Sequence, residues 1–299
     1  MSSEESRFRE YTPIFIMAGI LLLVQLLALV LAMPMEANNM RAFENPESTS
    51  NSFYYIGIIV VFTLILLLAI KMDKKWIIQL FILFAVASTL YYGLYAFLSM
   101  LDISSNIGSS VSMISAVGMT AILYKIPEWY IIDIVGLIIG AAASSIFGIS
   151  LAVLPAIILL VILAVYDAIS VYKTKHMVSL AEGVMDLKLP ILFVIPKKLN
   201  YSFREESFNS DDEDRGAFFM GLGDAVMPTI LVVSANVFIE HSGIISYPAL
   251  GGMIGTIIGF FALSVFIMKG KPQAGLPFLN SGVILGYFTG VVLSGAPIF

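Results

Sequence analysis

Residues 149–175 read ISLAVLPAIILLVILAVYDAISVYKTK. Between Ile149 and Tyr172 the only charged side chain is Asp167, and the run then closes on Lys173 and Lys175. The ~30 Å hydrocarbon core of a bilayer is crossed by about 20 mostly apolar residues in a helix. This run is therefore long enough to span, with its basic end at a polar surface. An aspartate inside such a span costs roughly 2.5–3.5 kcal/mol on insertion scales, so it marks a functional position or a paired one.

The rest of the chain repeats the pattern. Of 299 residues, 59% are AVILMFWYC and 12% are charged, and the mean hydropathy is +0.95; soluble domains are about one-quarter charged. Runs of spanning length cover residues 13–33, 53–71, 75–100, 106–124, 127–147, 149–172, 217–239, 247–268 and 276–297. They predict an all-α polytopic membrane protein with nine transmembrane helices. The first run is too long and too far from residue 1 for a cleaved signal peptide, and it stays as a helix. Cytoplasmic loops hold Lys and Arg in excess. One set of alternate loops carries Arg7, Arg9, Lys71, Lys74, Lys75, Lys125, Lys173, Lys175, Lys188, Lys197, Lys198, Arg204, Arg215, Lys269 and Lys271, whereas the other carries Arg41 alone. Nine crossings with a cytoplasmic N-terminus and an extracytoplasmic C-terminus follow, because removing one span would scramble that alternation.

Several functions are excluded. The 16 Lys+Arg against 21 Asp+Glu, net charge -5, are too few and scattered for a nucleic-acid surface. With no cysteine, disulfides, thiolate metal sites and cysteine nucleophiles are all absent. His176 and His241 are the only histidines and are not one helical turn apart, which removes a zinc protease motif. No repeat of solenoid length is present. The chain divides into residues 1–172, six spans; 173–216, a cytoplasmic loop; and 217–299, three spans. The loop has a β-branched and aromatic part bounded by Pro190 and Pro196, expected to be a short strand, then an acidic mobile stretch with Glu205, Glu206, Asp211, Asp212, Glu213 and Asp214.

Three aspartates lie within spans: Asp133, Asp167 and Asp224. At ~1.5 Å per residue, Asp167 is about 9 Å from the inner end of its span and Asp224 about 12 Å from the same face, so antiparallel neighbours bring the two carboxylates to one level. Asp224 ends Gly221-Leu222-Gly223-Asp224, whose glycines let the chain leave ideal helical geometry beside the carboxylate. Asp167 follows Tyr166, a hydroxyl donor. Asp133, in Tyr130-Ile131-Ile132-Asp133-Ile134, has neither feature and is expected to snorkel to the inner interface or to meet Lys125 or another polar group. Two carboxylates ~3 Å apart in a partly dry site share one proton. The charged member can deprotonate a water that attacks a peptide carbonyl, while the protonated member donates to the carbonyl oxygen. Such chemistry needs no metal or organic cofactor.

At these residues the chain resembles the GxGD intramembrane aspartyl proteases, the presenilin and signal peptide peptidase family, and looks most like its archaeal members. Tyr166-Asp167 and Gly221-Leu222-Gly223-Asp224 match the family's catalytic motifs. The resemblance covers nearly the whole chain and fits the nine-span, N-in topology. It implies an intramembrane aspartic endopeptidase with Asp167 and Asp224 as the catalytic pair. It also implies substrates that are membrane-spanning peptides or signal peptides, a multi-pass location in the cell membrane, and contact with lipid, with self-association left open. The family's Pro-Ala-Leu motif departs here: span nine opens Gln273-Ala274-Gly275-Leu276-Pro277, and by position the motif maps onto Ala274, Gly275 and Leu276 with Pro277 behind. The literal Pro248-Ala249-Leu250 opens span eight on the outer side and reads as a chance match. With Tyr166, Gly221, Leu222 and Gly223, these span-nine residues are expected to bind substrate.

The alternative is a proton- or cation-coupled transporter or channel, in which paired aspartates bind the ion and glycine-broken helices line its path. It leaves the division into six spans, a loop and three spans unexplained. For a protease, a helical substrate must first unwind, and freed backbone groups are satisfied most cheaply by strand addition. The expected edge for that addition is Leu189 to Ile195, with Gly275 and Leu276 offering backbone groups opposite.

Overall fold

A computed structural model describes residues 3–72, 74–101, 103–174, 192–197, 201–203, 216–267 and 273–298. Helices α1 (Ser3–Ala37), α2 (Ser50–Lys71), α3 (Lys75–Ser99), α4 (Ser105–Lys125), α5 (Trp129–Ser150) and α6 (Val153–Ile169) come first, and one π-helical turn, Ser170–Thr174, extends α6. Strands β1 (Leu192–Pro196) and β2 (Ala217–Gly221) follow, then α7 (Leu222–Phe238), α8 (Tyr247–Ile267) and α9 (Gly275–Ser294). Among the described residues, eight helices are long and apolar enough to cross a membrane, while α7 is shorter, with 17 residues. Phe84 and Ile114 are 71% and 72% exposed on α3 and α4. Large apolar side chains on an outer face suit lipid rather than water.

The apolar runs fall on the helices they predict, except at the seventh. There, Ala217 to Gly221 is strand, and the helix begins only at Leu222. The run Ala217-Phe218-Phe219-Met220 is apolar and aromatic without a helical period of its own, so it satisfies either conformation. Pairing decided the outcome. β1 and β2 are antiparallel, with Phe193 opposite Met220, Val194 opposite Phe219 and Ile195 opposite Phe218. The expected strand on the first part of the loop is present as Leu192–Pro196; residues 189–191 and the acidic stretch 204–215 lie outside the described residues.

This hairpin is inside the protein. Side chains alternate across a strand, so Phe193, Ile195 and Met220 pack with Met17, Leu21, Phe260 and Leu279 of α1, α8 and α9. The opposite face, Val194 and Ala217, joins Leu90, Ala116, Ile132 and Val135 of α3, α4 and α5.

α8 and α9 are zipped backbone to backbone. A Cβ on Gly255 would stand 2.1 Å from the Gly282 carbonyl oxygen, and one on Gly286 would stand 2.1 Å from that of Gly251. Gly251, Gly255 and Gly259 on one helix and Gly282, Gly286 and Gly290 on the other recur every four residues and form one stripe on each. Polar side chains tie the remaining helices together: Asn280 Nδ2 donates to the Leu160 carbonyl at 2.9 Å, holding α9 to α6, and Ser145 Oγ donates to the Ala28 carbonyl at 2.7 Å, holding α5 to α1.

Candidate active site

Asp167 stands in the last turn of α6, immediately before the π-helical turn. A π turn widens the helix and is frequent at functional sites. The side chain is buried, 7% exposed, and its Oδ2 accepts the Leu276 N–H at 3.1 Å. Asp224 is the third residue of α7, in its first turn rather than two turns in; five residues of strand cover the distance that a longer helix would have covered. It is half-buried, and Gly275 lies directly against it: a Cβ there would be 2.7 Å from both carboxylate oxygens. Neighbouring residues at the start of α9 thus touch one aspartate each, and the two carboxylates act on one another electrostatically.

The opening of α9 is held in place from α6. The Tyr172 hydroxyl donates to Gln273 Oε1 at 2.8 Å and accepts the Ala274 N–H at 3.2 Å. Ala274 is buried and caps α9, with Gly275, Leu276 and Pro277 forming the first turn, where a proline lacks no needed donor. Sequence reasoning missed Tyr172; its only trace there was an aromatic hydroxyl one helical turn and a little more beyond Asp167, at the charged end of the span.

Gly221 is the extended residue that caps α7, with φ −60° and ψ 135°. A Cβ on Gly221 would meet only Asp224, at 3.5 Å, and one on Gly223 would meet nothing within 4 Å. Neither glycine is therefore a small-residue contact between helices. Gly223 is exposed and leaves open space beside Asp224. Leu222 is half-buried and reaches α5, where its Cδ1 would be 3.5 Å from a Cβ on Gly140. Tyr166 is half-buried next to Asp167. The structure thus gathers Asp167, Asp224, Gly221, Leu222, Gly223, Ala274, Gly275 and Leu276 at one place. Pro248-Ala249-Leu250 starts α8, beyond the far end of α7, about 20 Å of helix from Asp224.

Asp133 takes the last of its alternatives, another polar group. It neither snorkels nor reaches Lys125, which is exposed; it is 8% exposed, and its Oδ1 accepts the Val194 N–H at 2.8 Å. That bond takes one donor from the Leu189 to Ile195 segment expected to be an edge for substrate, of which residues 189–191 lie outside the described residues. Phe193 and Ile195 turn their main-chain groups to β2, Val194 gives its N–H to Asp133, and Pro196 has none to give. The Leu276 N–H, likewise, is spent on Asp167.

Residues 18–296 match the sequence pattern of the family described as signal-peptide peptidase, presenilin aspartyl protease. Two solved structures of a presenilin family intramembrane aspartate protease are similar in fold. The one in space group C222 has TM-score 0.72 and 41% identity over 94% of this chain and 99% of that chain. The one in space group P2 has TM-score 0.69 and 40% identity over 95% and 99%. No functionally curated protein matches the chain in sequence.

Proposed function

The chain belongs to the signal-peptide peptidase and presenilin aspartyl protease family, and from that premise we propose that Asp167 and Asp224 are its catalytic dyad. The protein is an integral membrane protein and an intramembrane aspartic-type endopeptidase. The transporter reading finds no support among its relatives. The observation that carries the dyad is the opening of α9, which places Gly275 against Asp224 and the Leu276 N–H on Asp167.

In this reading the two carboxylates hold one proton between them. The ionised member takes a proton from water as that water attacks the scissile carbonyl; the other donates to the carbonyl oxygen and, after collapse, a proton passes to the departing amine. Leu276 fixes the orientation of the Asp167 carboxyl through Oδ2. Gly275 lets the Asp224 carboxyl approach by having no side chain. Gly223 keeps the approach to Asp224 open for an extended peptide, and Tyr166, Gly221, Leu222, Ala274 and Pro277 line or shape that approach.

The substrates are membrane-spanning segments or signal peptides, by analogy with the family. We further assign α7 as the seventh of nine membrane crossings, since the hairpin before it completes the path that 17 helical residues shorten. The N-terminus is then cytoplasmic, the C-terminus extracytoplasmic, and the protein resides in the cell membrane, where residues 1–172, 173–216 and 217–299 form the first half, the cytoplasmic loop and the second half. The test is cleavage of a membrane-spanning peptide by purified protein in detergent, with product masses. Asp167→Asn and Asp224→Asn should each reduce turnover to background with the fold intact; activity in either variant removes the dyad.

A further inference from the structure

Asp133 is a carboxylate inside a membrane helix, and the proposed chemistry does not use it. A hydrogen bond to it crosses 61 residues of chain from the centre of β1. We propose that Asp133 is a positioning residue for the dyad: by accepting the Val194 N–H it docks the β1–β2 hairpin on α5 and so sets where Gly221-Leu222-Gly223-Asp224 begins. The proposal rests on the reading of Asp224 as a dyad member.

Four features carry it. The antiparallel alternation leaves the Val194 N–H pointing away from β2, so within the buried hairpin this donor has no strand partner, and Asp133 supplies the acceptor at 2.8 Å. One turn along α5, Gly136 receives the Phe193 ring; a Cβ there would be 3.0 Å from Cε1, so the strand sits on α5 at two consecutive points. No linker separates the hairpin from the site, since β2 ends at Gly221 and α7 begins at Leu222 with Asp224 two residues on. Finally, α5 also meets α7 itself: a Cβ on Gly148 would be 2.4 Å from Val233, and Ser144 Oγ donates to the Val226 carbonyl at 3.3 Å. One helix thus references both the strand that enters the motif and the helix that leaves it, and a shift of about 1 Å in a reacting group costs up to about 100-fold in rate.

The test measures peptide cleavage in detergent together with hydrogen exchange of the 192–197 segment. Asp133→Ala should lower kcat by on the order of 10- to 100-fold with KM within about twofold, and speed Val194 exchange while α8 and α9 keep wild-type protection. Asp133→Asn keeps an acceptor oxygen and should restore both most of kcat and slow exchange, a rescue that loss of helix packing would not produce. If the alanine variant does not fold, Asp133→Leu, whose apolar side chain suits the bilayer, decides by the same readings. Wild-type kcat in the folded variant, or lost kcat with unchanged Val194 exchange, overturns the proposal. Turnover by Asp224→Asn would instead overturn the dyad reading beneath it, and the exchange result, which needs no activity, separates the two failures.

Discussion

Gly275 and Asp224 are 51 positions apart in sequence and in contact in the fold, with space for a carboxylate against Gly275 Cα and none for a methyl group. A Cβ 2.7 Å from both oxygens overlaps them, and because the atoms met are those of a short side chain on a packed helix, relief requires turning the Asp224 carboxyl.

The first prediction follows from that contact. Gly275→Ala should reduce kcat by about 100-fold while thermal stability changes little, since the misplaced group is a reacting one. Peptide turnover and a melting curve check it. Wild-type turnover would mean that the approach of Asp224 to α9 is incidental to chemistry.

Tyr172 predicts a smaller effect. Its hydroxyl makes two hydrogen bonds to the start of α9, one with Gln273 and one with the Ala274 N–H. Each is worth about 1 kcal/mol, so Tyr172→Phe should lower kcat/KM by about 5- to 30-fold without loss of fold. Steady-state kinetics on a fluorogenic membrane peptide would show this, and an unchanged kcat/KM would place the alignment of α9 elsewhere.

The α8–α9 contact concerns stability rather than chemistry. Carbonyl oxygens stand 2.1 Å from any Cβ placed on Gly255 or Gly286, and backbone cannot yield as a side-chain end can. Gly255→Leu or Gly286→Leu should destabilise by about 3 kcal/mol or more, seen as a lower Tm in detergent. Gly118→Ala on α4, which meets nothing within 4 Å, should not.

For pH, a pair of carboxylates sharing one proton gives a rate that rises and falls between two apparent values belonging to the pair. Activity should be lost on the acid side when both members are protonated and on the alkaline side when neither is. The profile of kcat/KM against pH checks this. EDTA should leave turnover unchanged; loss in EDTA with recovery on adding zinc would replace the dyad mechanism with a metal-dependent one.

Span positions were legible in the sequence because a bilayer imposes one rule on every crossing: a run of about 20 apolar residues with charge at its ends. Asp167 and Asp224 stood out by the same rule, as expensive groups in hydrocarbon. Their motifs then supplied the family resemblance. Ala274, Gly275 and Leu276 were placed by position in that resemblance, and the structure puts Gly275 against Asp224 and the Leu276 N–H on Asp167.

What the linear order left undecided was every feature set by pairing between distant segments. Ala217 to Met220 is helix by hydropathy and strand in the fold, because Phe193 and Ile195 complete its hydrogen bonds. Which polar group Asp133 meets was open because its partner is the backbone of Val194, and a main-chain N–H has no signature in side-chain sequence. The glycine stripes of α8 and α9 are visible in the chain, but only their facing each other makes them a contact. Local hydropathy therefore determined which segments form helices long and apolar enough to cross a membrane, since each can be solvated by lipid on its own. The tertiary structure alone decided which buried donors meet which acceptors, because in a dry interior that choice depends on where other segments place their backbone.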